Sequence, residues 1–420
     1  MNAIILSIGD ELILGQTIDS NSAWLSARLA DRGIIPLYHK TIADDLEATV
    51  AALRLAIDET DLVIVTGGLG PTQDDLTRQA LAALIQKPLD LHPPSLERVK
   101  AFFQKLGREM SVSNRIQAYV PRGAEVLDND WGTAPGIKLK VGEVLIFAFP
   151  GVPHEMEKMA ECYLFPLFDR GSGKAVAVES LATFGAGEST VAEKLGALMR
   201  RDRNPMIGTT VSGGVVTVRL RSEAPTASLA QKQLSRAVAL VKERLGVLVF
   251  AEGKQTLAGA VGQLAKANSK RLVTAESCTG GLVSEMLTNI PGASAWFVGG
   301  WVTYANDLKI KELSVPATLI EREGAVSEAV VCAMAEGALK HSMADFSVAL
   351  TGVAGPEGGT EAKPVGMVWI AVGCKEGDRM VVKAECFRFP GGRDVIRDRA
   401  AKTALNLLRL ELMKVVGSPL

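Results

Sequence analysis

The chain has 420 residues, a length that predicts two or three domains. Hydrophobic residues make up 47% of it, charged residues 22%, and the formal net charge is −1, so composition gives no global attraction to nucleic acid or to anionic membranes. The five cysteines lack the spacing of a disulfide framework or a zinc site, which favours a reducing compartment. No apolar run reaches the roughly 20 residues that span a bilayer, and the N-terminus lacks the basic flank of a signal peptide. We therefore expect a soluble, cytoplasmic protein.

The first 168 residues alternate the sequence patterns of strands and helices. Buried strands are predicted at 3–9 and 61–68, an edge strand containing proline at 34–41, and an amphipathic helix at 46–60. This alternation predicts an α/β domain with a doubly wound, mostly parallel sheet. Ligands of such sheets bind at the carboxyl ends of the strands.

Two glycine-rich loops leave strands of this domain: GDELILGQ (9–16) and TGGLGPTQDD (66–75). Glycine lets backbone N–H groups approach an anion closely. The acidic residues would repel a bare phosphate, and they fit a divalent metal of unspecified identity that bridges them to it. The alternative is that Asp19 and Asp74 only cap helices and the glycines only turn the chain. The candidate ligand residues are Gly9, Asp10, Glu11, Gly67, Gly68, Gly70, Thr72, Asp74 and Asp75, with Asp10, Glu11, Asp74 and Asp75 as candidate metal ligands.

A small α+β unit is predicted at 175–250, after a linker at 169–174. We expect one of its strands to run from 206 to 223. The unit lacks the Gly-x-x-Gly loop with which KH domains clamp a nucleic-acid backbone. The nearest candidate, GAGES at 185–189, carries Glu188, so no nucleic-acid partner is expected.

The remaining residues, 254–416, predict a second α/β domain, in which the stretch TAESCTGG (274–281) follows a strand. Its polar residues allow a serine nucleophile, a cysteine nucleophile or an anion-binding loop. A Cys278 thiolate would need a base, and the only histidine of this domain, His341, fits better as a cation at a helix C-terminus. Cys278 is therefore interpreted as a small buried residue, and Ser277 needs a different base.

Lys309 is the local candidate for that base. In WVTYANDLKIKEL (301–313) we expect a strand to end at Tyr304, Asn306 to cap a helix, and Lys309 to lie in the first turn. Burial near a helix N-terminus would lower the pKa of Lys309 and let the neutral amine accept a proton from serine. Tyr304 could orient that amine or relay the proton. The alternative is that Lys309 and Lys311 form a solvated basic face.

A third loop, TGVAGPEGG (351–359), also follows a strand and suits a phosphate or an oxyanion. Its alternative is a flexible connection without a ligand. Three loops that converge at strand ends are what a small-molecule site requires. The expected substrate-binding residues are Thr279, Gly280, Gly281, Asn306, Thr351, Gly352, Ala354 and Gly355.

Several of these motifs resemble known families. AESCTGG, WVTYANDLK, GAVSE and TGVAGPEGGTEAKPVG are similar to the C-terminal domain of the competence/damage-inducible CinA family. The GDE and TGGLGPTQDD loops and FPGVPHEM (149–156) resemble the molybdopterin-binding fold. With a KH-like unit between the two, the resemblance covers essentially the whole chain.

The resemblance implies two activities. The C-terminal domain would be a nicotinamide mononucleotide (NMN) deamidase that needs no cofactor, with Ser277 as nucleophile, Lys309 as base and Tyr304 as helper. The N-terminal domain would be a metal-dependent ADP-ribose pyrophosphatase. A homodimer is also expected. The alternatives are a non-catalytic partner protein in competence or DNA repair, and a pterin-binding protein.

Overall fold

The computed structural model describes residues 1–168, 175–377 and 379–415. The described residues divide into two compact units. The first unit runs from Met1 to Ala177 and includes Glu223–Gln231, and the second contains Val178–Ser222 and the residues from Lys232 onward. The predicted linker, 169–174, lies outside the described residues. Within the described part of the chain, no helix is both long and apolar enough to cross a membrane.

The first unit contains a six-stranded sheet of order β2-β1-β3-β8-β7-β6 and a small β4-β5 pair. The strands are β1 (Asn2–Ile8), β2 (Ile35–Ile42), β3 (Leu62–Thr66), β4 (Leu89–Leu91), β5 (Tyr119–Pro121), β6 (Glu125–Leu127), β7 (Gly136–Val141) and β8 (Val144–Phe149). The helices are α1 (Asp10–Ile13), α2 (Ser20–Ala30), α3 (Leu46–Glu59), α4 (Thr77–Leu84), α5 (Pro93–Lys105) and α6 (Pro153–Met159).

Four strands of this sheet are parallel and two are antiparallel, so the predicted mostly parallel sheet is confirmed. β2, β1, β3 and β8 pair in parallel, whereas β7 and β6 run against their neighbours. Every residue of β3 is buried because a core covers each face of the sheet. One core includes Leu53 of α3 and Leu81 of α4, and the other includes Leu25 of α2 and Met156 of α6.

The α+β unit contains a four-stranded sheet of order β10-β11-β9-β12. Its elements are β9 (Ala175–Thr183), α7 (Glu188–Leu195), β10 (Met206–Ser212), β11 (Val215–Ala224), α8 (Ala227–Leu245) and β12 (Val249–Glu252). The single strand expected at 206–223 is wrong, because β10 and β11 form an antiparallel hairpin. Gly213 and Gly214 make its turn, with φ of 53° and 80°, and two-residue turns of this left-handed kind match the twist of the strands.

The C-terminal part contains a five-stranded sheet of order β14-β13-β15-β16-β17. Its strands are β13 (Leu272–Glu276), β14 (Phe297–Val302), β15 (Phe346–Gly352), β16 (Met367–Glu376) and β17 (Arg379–Arg388). Its helices are α9 (Leu257–Ala267), α10 (Leu282–Thr288), α11 (Asn306–Leu313), α12 (Ala317–Glu323), α13 (Glu328–Lys340) and α14 (Arg393–Val415).

The centre of this sheet positions the nucleophile candidates. β13 pairs in parallel with both β14 and β15, and all five of its residues are buried. The carboxyl ends of these three strands therefore meet at one edge of the sheet, where three predicted site loops begin. β14 ends at Val302, two residues before the predicted end at Tyr304.

Candidate active site

Ser277 is the first residue after β13. Its backbone N–H donates to the carbonyl of Leu350 at 3.0 Å, which holds the nucleophile candidate against β15. The Gly280 N–H donates back to the Ser277 carbonyl at 3.1 Å, so residues 277–280 form a tight turn. Gly281 completes the turn with a φ of 95°, a conformation that glycine adopts without strain.

Lys309 reaches this turn from α11. Its Nζ atom lies 3.2 Å from Ser277 Oγ and donates to the carbonyl oxygens of Thr303 at 2.7 Å and Tyr304 at 3.2 Å. Only 1% of Lys309 is exposed. The sequence alternative, in which Lys309 lies on a solvated face, is therefore wrong.

Burial lowers the pKa of Lys309 below the usual range of lysine, and the charge of Cys278 opposes this to a smaller extent. A neutral amine has two N–H groups and one lone pair. The two carbonyls of Thr303 and Tyr304 accept the two N–H groups, which leaves the lone pair for the Ser277 hydroxyl. The arrangement is suited to removing a proton from Ser277.

Cys278 is a poor candidate for the nucleophile in this environment. It is 6% exposed, and burial, with a smaller contribution from the charge of Glu276, raises its pKa to about 11. His341 caps the C-terminus of α13, and its Nε2 lies 2.9 Å from Ser314 Oγ. The interpretation of Cys278 as a small buried residue agrees with this geometry.

Two arginines at the start of α14 form hydrogen bonds with the site loops. Arg393 donates to the Tyr304 hydroxyl at 3.0 Å and to the Gly355 carbonyl at 2.8 Å, and Arg397 donates to the Thr279 carbonyl at 2.7 Å. Sequence reasoning missed both arginines. Their spacing of four residues in a helix, which places them on one face, was the available signal.

The predicted substrate-binding residues lie in these loops, but several of their polar groups are engaged. The Gly281 N–H donates to Glu276, and the Thr351 hydroxyl donates to the Ala325 carbonyl. Gly352 is the last residue of β15, and Ala354 is buried beyond it. Asn306 is the first residue of α11 and not its cap. The cap position belongs to Ala305, without a side-chain hydrogen bond.

The glycine-rich loop after β3 has a tightly held conformation. A Cβ atom on Gly67 would lie 2.2 Å from the Ile8 carbonyl oxygen, and the φ of Gly67 is 100°, so glycine is required there. Asp75 closes the loop by accepting hydrogen bonds from the N–H groups of Gly70 at 2.7 Å and Thr72 at 2.8 Å, and from the Thr72 hydroxyl. Buried Arg78 donates to the carbonyls of Leu69 and Gly70.

The candidate metal ligands do not form a metal site made by the protein alone. Among the residues described, no three His, Cys, Asp or Glu side chains are grouped as metal ligands. Asp10 Oδ1 accepts from the Asp44 N–H, and Asp44 Oδ2 accepts from the Asp10 N–H. Burial raises the pKa of Asp44, the hydrogen bond from Asp10 opposes the rise, and the charges of Asp10, Glu11 and Asp74 add to it. Asp74 is exposed and does not cap α4, whose cap is Leu76.

A cavity of about 90 Å³ lies at the carboxyl edge of the first sheet. Its lining includes Ser7 of β1, Glu11 of α1, Thr66 of β3 and Gly151 after β8. The carboxyl ends of β1, β3 and β8 therefore border one cavity. Asp19, also in the lining, caps α2 by accepting from the Ser22 N–H, as the capping alternative expected.

Known proteins match this chain over nearly its whole length. The "CinA C-terminal domain" model matches residues 254–412. The chain is 41% identical to a CinA-like protein of Dictyoglomus thermophilum over 99% of this chain and the whole relative. The chain belongs to the CinA family. A CinA-like protein of Geobacter sulfurreducens is also 41% identical, over 98% of this chain and the whole relative.

The other two parts match models in the order expected for the CinA family. The "Probable molybdopterin binding domain" model matches residues 4–170, and the "Damage-inducible protein CinA KH domain" model matches 179–251. The solved structure of the competence/damage inducible protein CihA from Agrobacterium tumefaciens is 40% identical. It covers 36% of this chain and 95% of its own, with a TM-score of 0.34.

Proposed function

We propose that the C-terminal domain is a serine amidohydrolase that converts NMN to nicotinate mononucleotide and ammonia. The observation that carries this proposal is the buried pair of Lys309 Nζ and Ser277 Oγ, 3.2 Å apart. A buried lysine with a lowered pKa beside a hydroxyl is the combination that activates serine without histidine. The family resemblance supports NMN as the substrate.

In the first half-reaction, Ser277 Oγ bonds to the carboxamide carbon while its proton passes to Lys309 Nζ. The protonated amine then delivers this proton to the amide nitrogen. The carbon–nitrogen bond breaks, ammonia leaves, and an ester to Ser277 remains. The Thr303 and Tyr304 carbonyls, which accept from Nζ, stabilise the transient ammonium.

In the second half-reaction, water replaces ammonia. Lys309 accepts a proton from the water as its oxygen bonds to the ester carbon. The bond to Ser277 Oγ then breaks, the proton returns from Nζ to Oγ, and the product leaves as its acid, whose remaining proton passes to the released ammonia or to solvent. The same base serves both steps, so the cycle restores the starting enzyme.

The arginines of α14 support a phosphate-bearing substrate. Arg393 and Arg397 bring two guanidinium groups to the loops beside Ser277. Guanidinium groups bind phosphate oxygens in a fork geometry. They are candidates for contacting the 5′-phosphate of NMN.

The test is ammonia release from NMN by the purified full chain, beside Ser277→Ala. The proposal expects release by the wild type and a loss of at least about 10³-fold in the variant. Ser342→Ala, a serine outside the site loops, is the control and should retain activity. Equal release by wild type and Ser277→Ala would refute the proposal.

A second proposal concerns the N-terminal domain, which we infer to hydrolyse the pyrophosphate of ADP-ribose. The loops at the carboxyl ends of the parallel strands β1 and β3, where ligands of such sheets bind, support a small-molecule ligand there. Turnover should stop on chelation and return with a divalent ion. A pterin ligand is the alternative for this domain. If the protein is instead a non-catalytic partner in competence or DNA repair, neither ammonia release from NMN nor hydrolysis of ADP-ribose should be detected. Cytoplasmic location and a homodimer stay predictions.

A further inference from the structure

Glu276 is a buried acidic group that the proposed reaction does not use. It is the last residue of β13 and is 0% exposed. Its Oε2 accepts from the N–H groups of Gly281 and Val283, both at 3.0 Å. Its Oε1 accepts from the Ser284 N–H at 2.8 Å and the Ser284 hydroxyl at 2.7 Å.

We propose that Glu276 is a positioning residue, an internal anion that fixes the turn carrying Ser277. Its four donors all lie on the far side of the turn, at the start of α10, while its own backbone belongs to the central strand. The carboxylate therefore joins the two ends of the segment 276–284 across the nucleophile. Hydrogen bonds to a charged acceptor are stronger than neutral ones, so the turn is held before substrate arrives.

These hydrogen bonds also occupy backbone N–H groups that a substrate anion could otherwise use. The Gly281 N–H is taken by Glu276, and the Gly280 N–H is taken by the Ser277 carbonyl. A buried carboxylate beside these amides also repels a second anion. These two amides are therefore not open to the substrate phosphate, which leaves the guanidinium groups of Arg393 and Arg397 at the same loops as its candidate partners. The N–H groups of Gly280 and Gly281, two of the expected substrate-binding residues, serve the turn in this arrangement.

The test is Glu276→Gln in the full chain, with Glu285→Gln as the matched control. Glutamine keeps the shape but places an NH₂ group where one oxygen accepted two donors. Glu285 is an exposed residue of α10, the helix that also contains Val283 and Ser284. Two readouts are compared: amide hydrogen exchange at Gly281, Val283 and Ser284, and the kinetics of ammonia release from NMN.

The inference expects Glu276→Gln to lose exchange protection at these three amides and to retain it in β15. It also expects kcat to fall about 100-fold, as for a misplaced reacting group, with KM changed by less than about threefold. Glu285→Gln should match the wild type in both readouts. Unchanged protection at the three amides, or an unchanged kcat, would overturn the inference.

Ser284→Ala keeps the test decisive should Glu276→Gln fail to fold. It removes one of the four donors, the hydroxyl, and we expect faster amide exchange at Val283 and at the substituted position, with a smaller loss of kcat. A wild-type exchange pattern in Ser284→Ala would then count against the inference. The kinetic readout rests on the proposed function, but the exchange readout does not. A wild type that releases no ammonia would refute only the proposed function.

Discussion

Lys309 Nζ lies 3.2 Å from Ser277 Oγ, although the two residues are 32 positions apart in the chain. Ser277 follows β13, and Lys309 lies in the helix that follows the neighbouring strand β14. The parallel pairing of these strands brings both loops to one edge of the sheet. Both side chains are largely buried, with 9% of Ser277 and 1% of Lys309 exposed.

Lys309→Arg tests whether residue 309 acts by accepting the proton of Ser277 or only by its positive charge. Arginine keeps a cation at the site but does not deprotonate in the working pH range, so Ser277 would lose its base. We expect ammonia release from NMN to fall by about 10²- to 10⁴-fold, the usual contribution of a general base. Lys311→Arg, on an exposed position of the same helix, should retain activity. Full activity in Lys309→Arg would exclude Lys309 as the base.

The pH dependence of kcat/KM should report Lys309. Only the neutral amine accepts the serine proton, so the rate rises with pH through the pKa of Lys309. Burial lowers this pKa, so the midpoint of the rising limb should fall below about 10.4, the value for an exposed lysine. A profile measured at constant ionic strength, from weakly acidic to alkaline pH, decides the matter. A falling limb across this range would contradict the assignment.

Cys278→Ala should leave the reaction nearly intact. The thiol is buried and its pKa is raised to about 11, so it supplies almost no thiolate at neutral pH. We expect kcat/KM within about threefold of the wild type, and no inhibition of the wild type by short exposure to iodoacetamide. Loss of activity in Cys278→Ala comparable to that of Ser277→Ala would restore the cysteine hypothesis.

Tyr304→Phe distinguishes two roles for the tyrosine. Lys309 bonds to the Tyr304 backbone carbonyl, while the hydroxyl accepts from Arg393. Phenylalanine keeps the first contact and removes the second, so we expect kcat to fall by less than about tenfold. A kcat loss of about 100-fold or more with KM unchanged would instead indicate a proton relay through the hydroxyl.

Asp75→Ala should loosen the glycine-rich loop of the N-terminal domain. The variant leaves the N–H groups of Gly70 and Thr72 without their acceptor, at a cost of about 1–3 kcal/mol in local opening free energy. Amide exchange at these two residues measures the effect. Gln73→Ala, an exposed position in the same loop, is the control. Equal exchange in both variants would mean that Asp75 does not hold the loop.

The structure also corrects sequence-based expectations for particular residues. Residue type predicts Asn306 as the cap of α11, but the chain enters that helix through Ala305. Asp10 and Asp75, candidate metal ligands from the sequence, accept hydrogen bonds from backbone N–H groups, and metal binding by them stays a prediction. Composition cannot distinguish a carboxylate that binds a metal from one that closes a loop.

Sequence alone was sufficient for the α/β character of the two large domains and the positions of the strand-end loops. These follow from local patterns, since hydrophobic periodicity and glycine at strand ends are properties of short segments. The folded chain was needed to see that Lys309 is buried and that burial raises the pKa of Cys278. It was also needed to place Arg393 and Arg397 at the site and Glu276 behind the nucleophile turn. Burial and hydrogen-bond partners depend on which distant segments the sheet brings together. A short stretch of sequence does not show which segments those are.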